Sequence, residues 1–269
     1  DGSLDRGWFY ENLDKMRPLP RTAAPSLAEF HEVYQALVSE GAEEIIGLFL
    51  ARELSSIYDN ACLAAQQFKA TSSDVPIHII ETGQVSMGVG WLAIAAAEAA
   101  AEGAMVEEII QLVKDMRVRT VVLGVLDSLE YLWHGGRVDG TRAWLGDLLR
   151  IKALLSFQHG KAALAGRVRT YRRALASLAK SICRSAPLER LALLHSHVKP
   201  DVIANFREML MDCVSSTDDV SSTDDVSFTD DVSADSVPVV EVTPVFGTHV
   251  GPRAVGVAAV FTKGPIVFD

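Results

Sequence analysis

Four short, nearly continuous apolar runs constrain the fold of this chain more than any other feature: Glu44 to Leu50, Ile77 to Ile80, Thr120 to Val125 and Leu188 to Leu194. A strand that is apolar along its whole length must be covered on both faces, and the chain supplies the cover between the runs. Leu54 to Phe68, Gly88 to Glu102 and Val106 to Met116 all have helical periodicity. An earlier helix begins at Ser26, where Glu29 stands at capping-box spacing and Phe30, Val33, Tyr34, Leu37 and Val38 recur at helical intervals until Gly41. Strand, helix, strand, helix predicts an α/β protein whose first sheet is parallel and sandwiched between helices.

A second block opens at Thr120. It predicts helices at Ser128–Trp133, Thr141–Leu149, Thr170–Arg184 and Pro200–Cys213, with strands at Ile151–Ser156, Leu188–Leu194 and toward the C-terminus. The boundary falls near residue 119, giving an N-terminal α/β domain over 1–118 and a mixed α/β domain over 119–269. Between them a chain of 269 residues has room for a ligand site.

The net charge of −10 is concentrated in one place. Residues 214–237 carry a six-residue repeat, Ser-Ser-Thr-Asp-Asp-Val, with seven aspartates and almost no large apolar side chains. Such a segment cannot offset the entropy of folding and reads as a solvated insertion. It lacks the glycine and terminal glutamate of a Ca²⁺ loop. The longest stretch without charge, Thr82 to Ala97, is interrupted by three glycines and is too short for a membrane span. Three unevenly spaced cysteines, Cys62, Cys183 and Cys213, indicate neither a disulfide framework nor a zinc site and fit a reducing cytoplasm.

Two local patterns carry chemistry. Val85-Ser86-Met87-Gly88-Val89-Gly90 puts a serine and two glycines at the mouth of a helix, where free N–H groups and the helix dipole favour an anion. The helix that follows, from Trp91 and Leu92 through Ala97, is apolar nearly all round, so an anionic head with an apolar tail would suit both halves. Near the C-terminus, the apolar run Val239 to Val245 reads as a strand leading into the loop Phe246-Gly247-Thr248-His249-Val250-Gly251-Pro252. That loop presents an imidazole among glycines.

Other constellations are weaker. His195-Ser196-His197 places two imidazoles on one face of an extended segment without an evident third metal ligand. Lys161, Arg167, Arg169, Arg172, Arg173, Lys180 and Arg184 form a basic run with little interleaved aromatic character, more a solvated helix face than a nucleic-acid surface. His134-Gly135-Gly136-Arg137 lacks the Lys-Ser/Thr of a P-loop and reads as a junction between domains.

Taken in order, Val85 to Gly90, Leu129-Glu130-Tyr131-Leu132-Trp133-His134-Gly135-Gly136-Arg137-Val138, Leu145-Gly146-Asp147-Leu148-Leu149-Arg150-Ile151-Lys152 and Gly247 to Pro252 resemble the DegV family over about Thr22 to Val260. The resemblance implies a two-domain protein that holds a long-chain fatty acid and needs no cofactor. It would act as the binding subunit of a bacterial fatty acid kinase, whose separate catalytic subunit makes an acyl phosphate for phospholipid synthesis. The resemblance also assigns the carboxylate to Ser86 and His249, helped by backbone N–H groups of Met87 and Gly88, with Ser55, Ser56 and Thr248 as possible support. The acyl chain would run past Ile57, Trp91 and Leu92, and Arg167, Arg169 and Arg172 would offer a docking surface for the kinase subunit.

There are departures. Ile57 stands where the family places a carboxylate-binding threonine, Thr22-Ala23-Ala24-Pro25-Ser26 replaces Thr-Ser-Gln-Pro-Ser, Gly251-Pro252-Arg253 replaces Gly-Pro-Gly, and the family's opening strand has no counterpart, so either the chain is incomplete at its N-terminus, the expectation favoured here, or the first domain lacks a central strand. Two alternatives stay open: an enzyme acting on a small carbonyl or phosphate compound with His249 as its catalytic group, and an interaction module without a ligand.

Overall fold

Ser26 starts its helix as the capping-box spacing predicts. Its hydroxyl accepts from the Glu29 N–H at 3.3 Å, the Glu29 carboxylate accepts from the Ser26 N–H at 2.7 Å, and α2 runs over Leu27–Ser39. It follows α1 (Arg6–Leu13), which sequence periodicity does not announce and which Asp5 caps by accepting from the Trp8 N–H. The computed structural model describes residues 4–72, 74–137, 152–158, 160–185, 187–215 and 237–263. The helix expected at Thr141–Leu149 and nearly all of the acidic insertion lie outside them.

The first two apolar runs form β1 (Ile45–Phe49) and β2 (Ile77–Glu81), paired in parallel and connected through α3 (Ile57–Thr71). Phe30 and Tyr34 of α2 and Ala61, Ala64 and Phe68 of α3 bury Ile45 between them. Next come α4 (Met87–Ala101) and α5 (Val106–Arg117), and then a mixed sheet built from β3 (Thr120–Leu126), β4 (Lys152–Gln158), β5 (Lys161–Val168), β6 (Leu188–His195), β7 (Val239–Glu241) and β8 (Val255–Phe261). Its order is β5-β4-β3-β8-β6-β7, antiparallel throughout except for β6 and β7. A small parallel sheet and a larger mixed one are thus both present, as the alternation of elements predicts.

Every residue of β8 is buried, because the sheet is covered on both sides. On one face lie α7 (Tyr171–Cys183) and α8 (Pro200–Ser215), with Leu178, Ile182 and Phe206 fully buried against Leu123, Val257 and Phe261. On the other lie α1, α4, α5, the short α6 (Glu130–Gly135) and α9 (Pro244–Val250). Helix α4 is wedged between the two sheets. Its Trp91 indole donates to the Ala258 carbonyl of β8 at 3.1 Å, while Ile46, Leu48 and Ile80 of the small sheet join the same core. It is not buried all round, however: Ala93, Ile94 and Ala97 face solvent.

Three sequence readings are corrected. The run Val239 to Val245 is a strand only to Glu241, and Pro244 then occupies the first turn of α9, where its fixed φ suits a helix and its missing N–H is no loss. His249 therefore sits on a helix and not in a loop. The supposedly helical basic run is split: Lys161 and Arg167 belong to β5, a sheet-edge strand whose alanines and glycine hide its pattern, while Arg172, Arg173 and Lys180 are on α7. Finally, Cys183 is disulfide-bonded, a pairing that local cysteine spacing does not reveal, whereas Cys62 is a free thiol.

Candidate functional site

Ser86 stands immediately before α4 with φ 48° and ψ −134°, a conformation that a non-glycine residue holds only when its surroundings impose it. The turn before it is imposed by Gln84 and Thr82. The Gln84 amide donates to the Thr120 carbonyl at 2.8 Å, the Gln84 carbonyl accepts from the Ala51 N–H at 3.0 Å, and the Thr82 hydroxyl donates to the Phe49 carbonyl at 2.8 Å. Ser86 makes no side-chain capping bond, so its half-buried hydroxyl is available to a ligand. The Gly88 N–H is already donated to the Val85 carbonyl at 2.9 Å, leaving Met87 as the better placed of the two backbone donors.

His249 lies in the last turn of α9, between α6 and the segment that precedes α2. Its Nε2 is 2.9 Å from the Thr22 hydroxyl, and its Nδ1 is buried without a partner. Gly135 explains the close fit: a Cβ there would lie 2.4 Å from Nδ1. Arg137, just beyond, donates to the Gly135 carbonyl at 2.5 Å and to the Leu54 carbonyl at 3.1 Å, so the His134-Gly135-Gly136-Arg137 turn ties α6 to the segment leading into α3. Burial first, and then the Arg137 charge, push the His249 imidazole below its ordinary range, which keeps the ring neutral at pH 7.

Glycine also sets the seat of α9. Gly247 meets Tyr10, whose hydroxyl donates to the Val242 carbonyl at 2.8 Å, and Gly251, at φ 74°, meets the Tyr131 ring. The same helix turns Phe246 and Val250 toward the large sheet, where with Val122, Leu126 and Phe157 they line a small apolar pocket. Its floor is the paired Gly124 of β3 and Gly256 of β8. A side chain at Gly256 would strike the Leu123 carbonyl at 2.6 Å, a backbone contact that cannot move aside.

The family model for DegV, described as uncharacterised, matches residues 1–262. The chain belongs to the DegV family. It is 31% identical over 248 residues to a DegV domain-containing protein of Streptomyces coelicolor, covering 91% of this chain and 79% of the relative. Among solved structures it resembles a fatty-acid-binding DegV family protein of Streptococcus agalactiae, at 25% identity, a TM-score of 0.81 and coverage of 98% of this chain and 86% of that one. It also resembles a DegV family protein of Thermus thermophilus described for its fatty acid binding, at 27% identity, a TM-score of 0.78 and coverage of 94% and 84%.

Within this DegV family chain the remaining candidates are placed as follows. Ser55 accepts from the Ile57 N–H at 3.3 Å, Ser56 is exposed, and the Thr248 hydroxyl is occupied by the Pro244 carbonyl at 2.9 Å. Ile57, Trp91 and Leu92 do not line the pocket, which is built from the large sheet and α9. Arg167, Arg169 and Arg172 are all exposed, spread over the end of β5, the following turn and the start of α7. His197 stacks on Tyr10 and lies 3.6 Å from Glu241, and among the described residues no three His, Cys, Asp or Glu side chains gather for a metal. Arg253, at φ 61°, is held by Asp127 at 3.0 Å and Asp14 at 3.2 Å. Thr22, Gly135 and the glycine floor could not be found from local patterns, since each acts on residues distant in the chain.

Proposed function

We propose that this protein binds a long-chain fatty acid, its carboxylate near Ser86 and His249 and its tail in the pocket beneath α9, and presents the carboxylate to a separate kinase subunit that makes an acyl phosphate. The observation that carries this reading is the apolar pocket roofed by Phe246 and Val250 of the same short helix that bears His249. The fatty acid binding described for the Streptococcus agalactiae and Thermus thermophilus proteins supports it. At about 0.8 kcal/mol per CH₂, burying a sixteen-carbon tail gains on the order of 10 kcal/mol before ordering costs. Most of the affinity therefore comes from the tail, and the polar groups orient the head.

A binding role is favoured over catalysis by the environment of His249. The hydrogen-bond partner of its ring is the Thr22 hydroxyl, where a hydrolase would aim an orienting carboxylate. A hydroxyl and a neutral imidazole are both suitable donors to a carboxylate, and hydrogen bonds to an ionised acceptor are the strong ones. Organic extraction of purified protein followed by mass spectrometry tests the reading: a stoichiometric long-chain acid is expected, and a clean extract from protein offered such acids would overturn it. Acyl-phosphate formation on adding a fatty acid kinase catalytic subunit and ATP tests the presenting role separately.

A further inference from the structure

The Nδ1 side of the His249 ring is closed to a ligand. Gly135 closes the Nδ1 side so tightly that even a methyl group there would overlap the ring, which leaves the Nε2 edge, and Thr22 already stands at that edge at 2.9 Å. Any acidic group served by His249 must meet it beside Thr22 or through it. We propose that Thr22 is a headgroup-binding residue: its oxygen accepts the His249 Nε2–H and its own O–H is donated to the carboxylate of the bound acid. This rests on the fatty-acid reading above and names a residue that the reading does not require.

Two features favour that arrangement. With the proton on Nε2, the buried Nδ1 presents only an unsatisfied lone pair, whereas the opposite tautomer would bury an N–H without an acceptor, the rarer and more costly orphan. The Thr22 hydroxyl is then left with a proton to give. Its position is also fixed from outside the ring. The Asn60 side chain of α3 donates to the Pro25 carbonyl at 2.8 Å, and Ser26 caps α2, so the segment 22–26 is fastened to two helices at the end that follows Thr22. Half-buried, with no regular structure of its own, Thr22 is held for the sake of what its hydroxyl touches.

The test compares a long-chain fatty acid with its methyl ester as ligands for the wild-type chain and for Thr22→Val, Thr22→Ser and His249→Ala. Thr22→Val keeps the branched shape and removes the hydroxyl, and it should weaken binding of the acid about tenfold while leaving the ester unchanged. Thr22→Ser should restore most of the loss. If Thr22→Val weakens acid and ester equally, the role is structural and the proposal is overturned. If His249→Ala loses the acid but Thr22→Val does not, the proposal fails and the fatty-acid reading stands. If the wild-type chain does not prefer the acid to the ester, the headgroup reading and the proposal fall together.

Discussion

The two halves of the proposed headgroup site are held in different ways. Ser86 is fixed by its backbone: a strained φ of 48°, braced by hydrogen bonds of Thr82 and Gln84 within a few residues of it, at the start of a fifteen-residue helix. His249 is fixed by packing: a seven-residue helix whose glycines admit Tyr10 and Tyr131, and a ring pressed between Gly135 and Thr22. The first half is braced by bonds that reach no farther than Phe49, Ala51 and Thr120. The second depends on segments that meet only when the whole chain has folded, so damage to it should spread.

The strongest way to break this contrast is Gly251→Ala. The new methyl group would both overlap the Tyr131 ring and force an alanine to φ 74°, and each effect is typically worth one to three kcal/mol. A loss of about 3 kcal/mol in urea denaturation is expected, and a change below about 1 kcal/mol would show that α9 is not seated by close glycine contacts. Next in size, Ser86→Ala combined with His249→Ala should weaken fatty-acid retention about a hundredfold, the Ser86 bond being lost and the Thr22 hydroxyl no longer oriented by the ring, while the denaturation midpoint changes little. Retention equal to wild type would remove both residues from the headgroup.

The smallest effect is a pH slope. Burial lowers the proton affinity of His249 and of His195 from an ordinary value of 6.5. Above that pH both rings are neutral whether the chain is folded or unfolded. Below it the unfolded chain takes up protons first, so stability falls with pH until the lowered folded-state values are passed. His249→Gln should flatten part of this slope between pH 7.5 and 5.5, leaving the share of His195. An unchanged slope would mean that the ring is not desolvated by its close packing.

The same contrast explains what could be read from the chain. The capping box at Ser26 and the apolar runs that became β1, β2, β3 and β6 rest on residues close in sequence, so periodicity and caps expose them. The Thr22–His249 contact spans 227 positions and leaves no local trace. Helix α9 was hidden for another reason: Val239 to Val245 is rich in β-branched residues, and Pro244 marks a helix start only once the strand is known to end at Glu241. In β5, alternating small residues bury too little to signal a strand at all.

The glycine floor of the pocket couples the cavity to strand register. Gly124 and Gly256 face each other because β3 and β8 are paired in one particular alignment, with Val255 and Val257 on either side of Gly256. A slip of one position would set a valine opposite Gly124 and turn every side chain of β8 to the opposite face, so the cavity would fill. An open cavity is in this sense a proofreading signal for the fold: a chain that keeps it has also aligned its central strands.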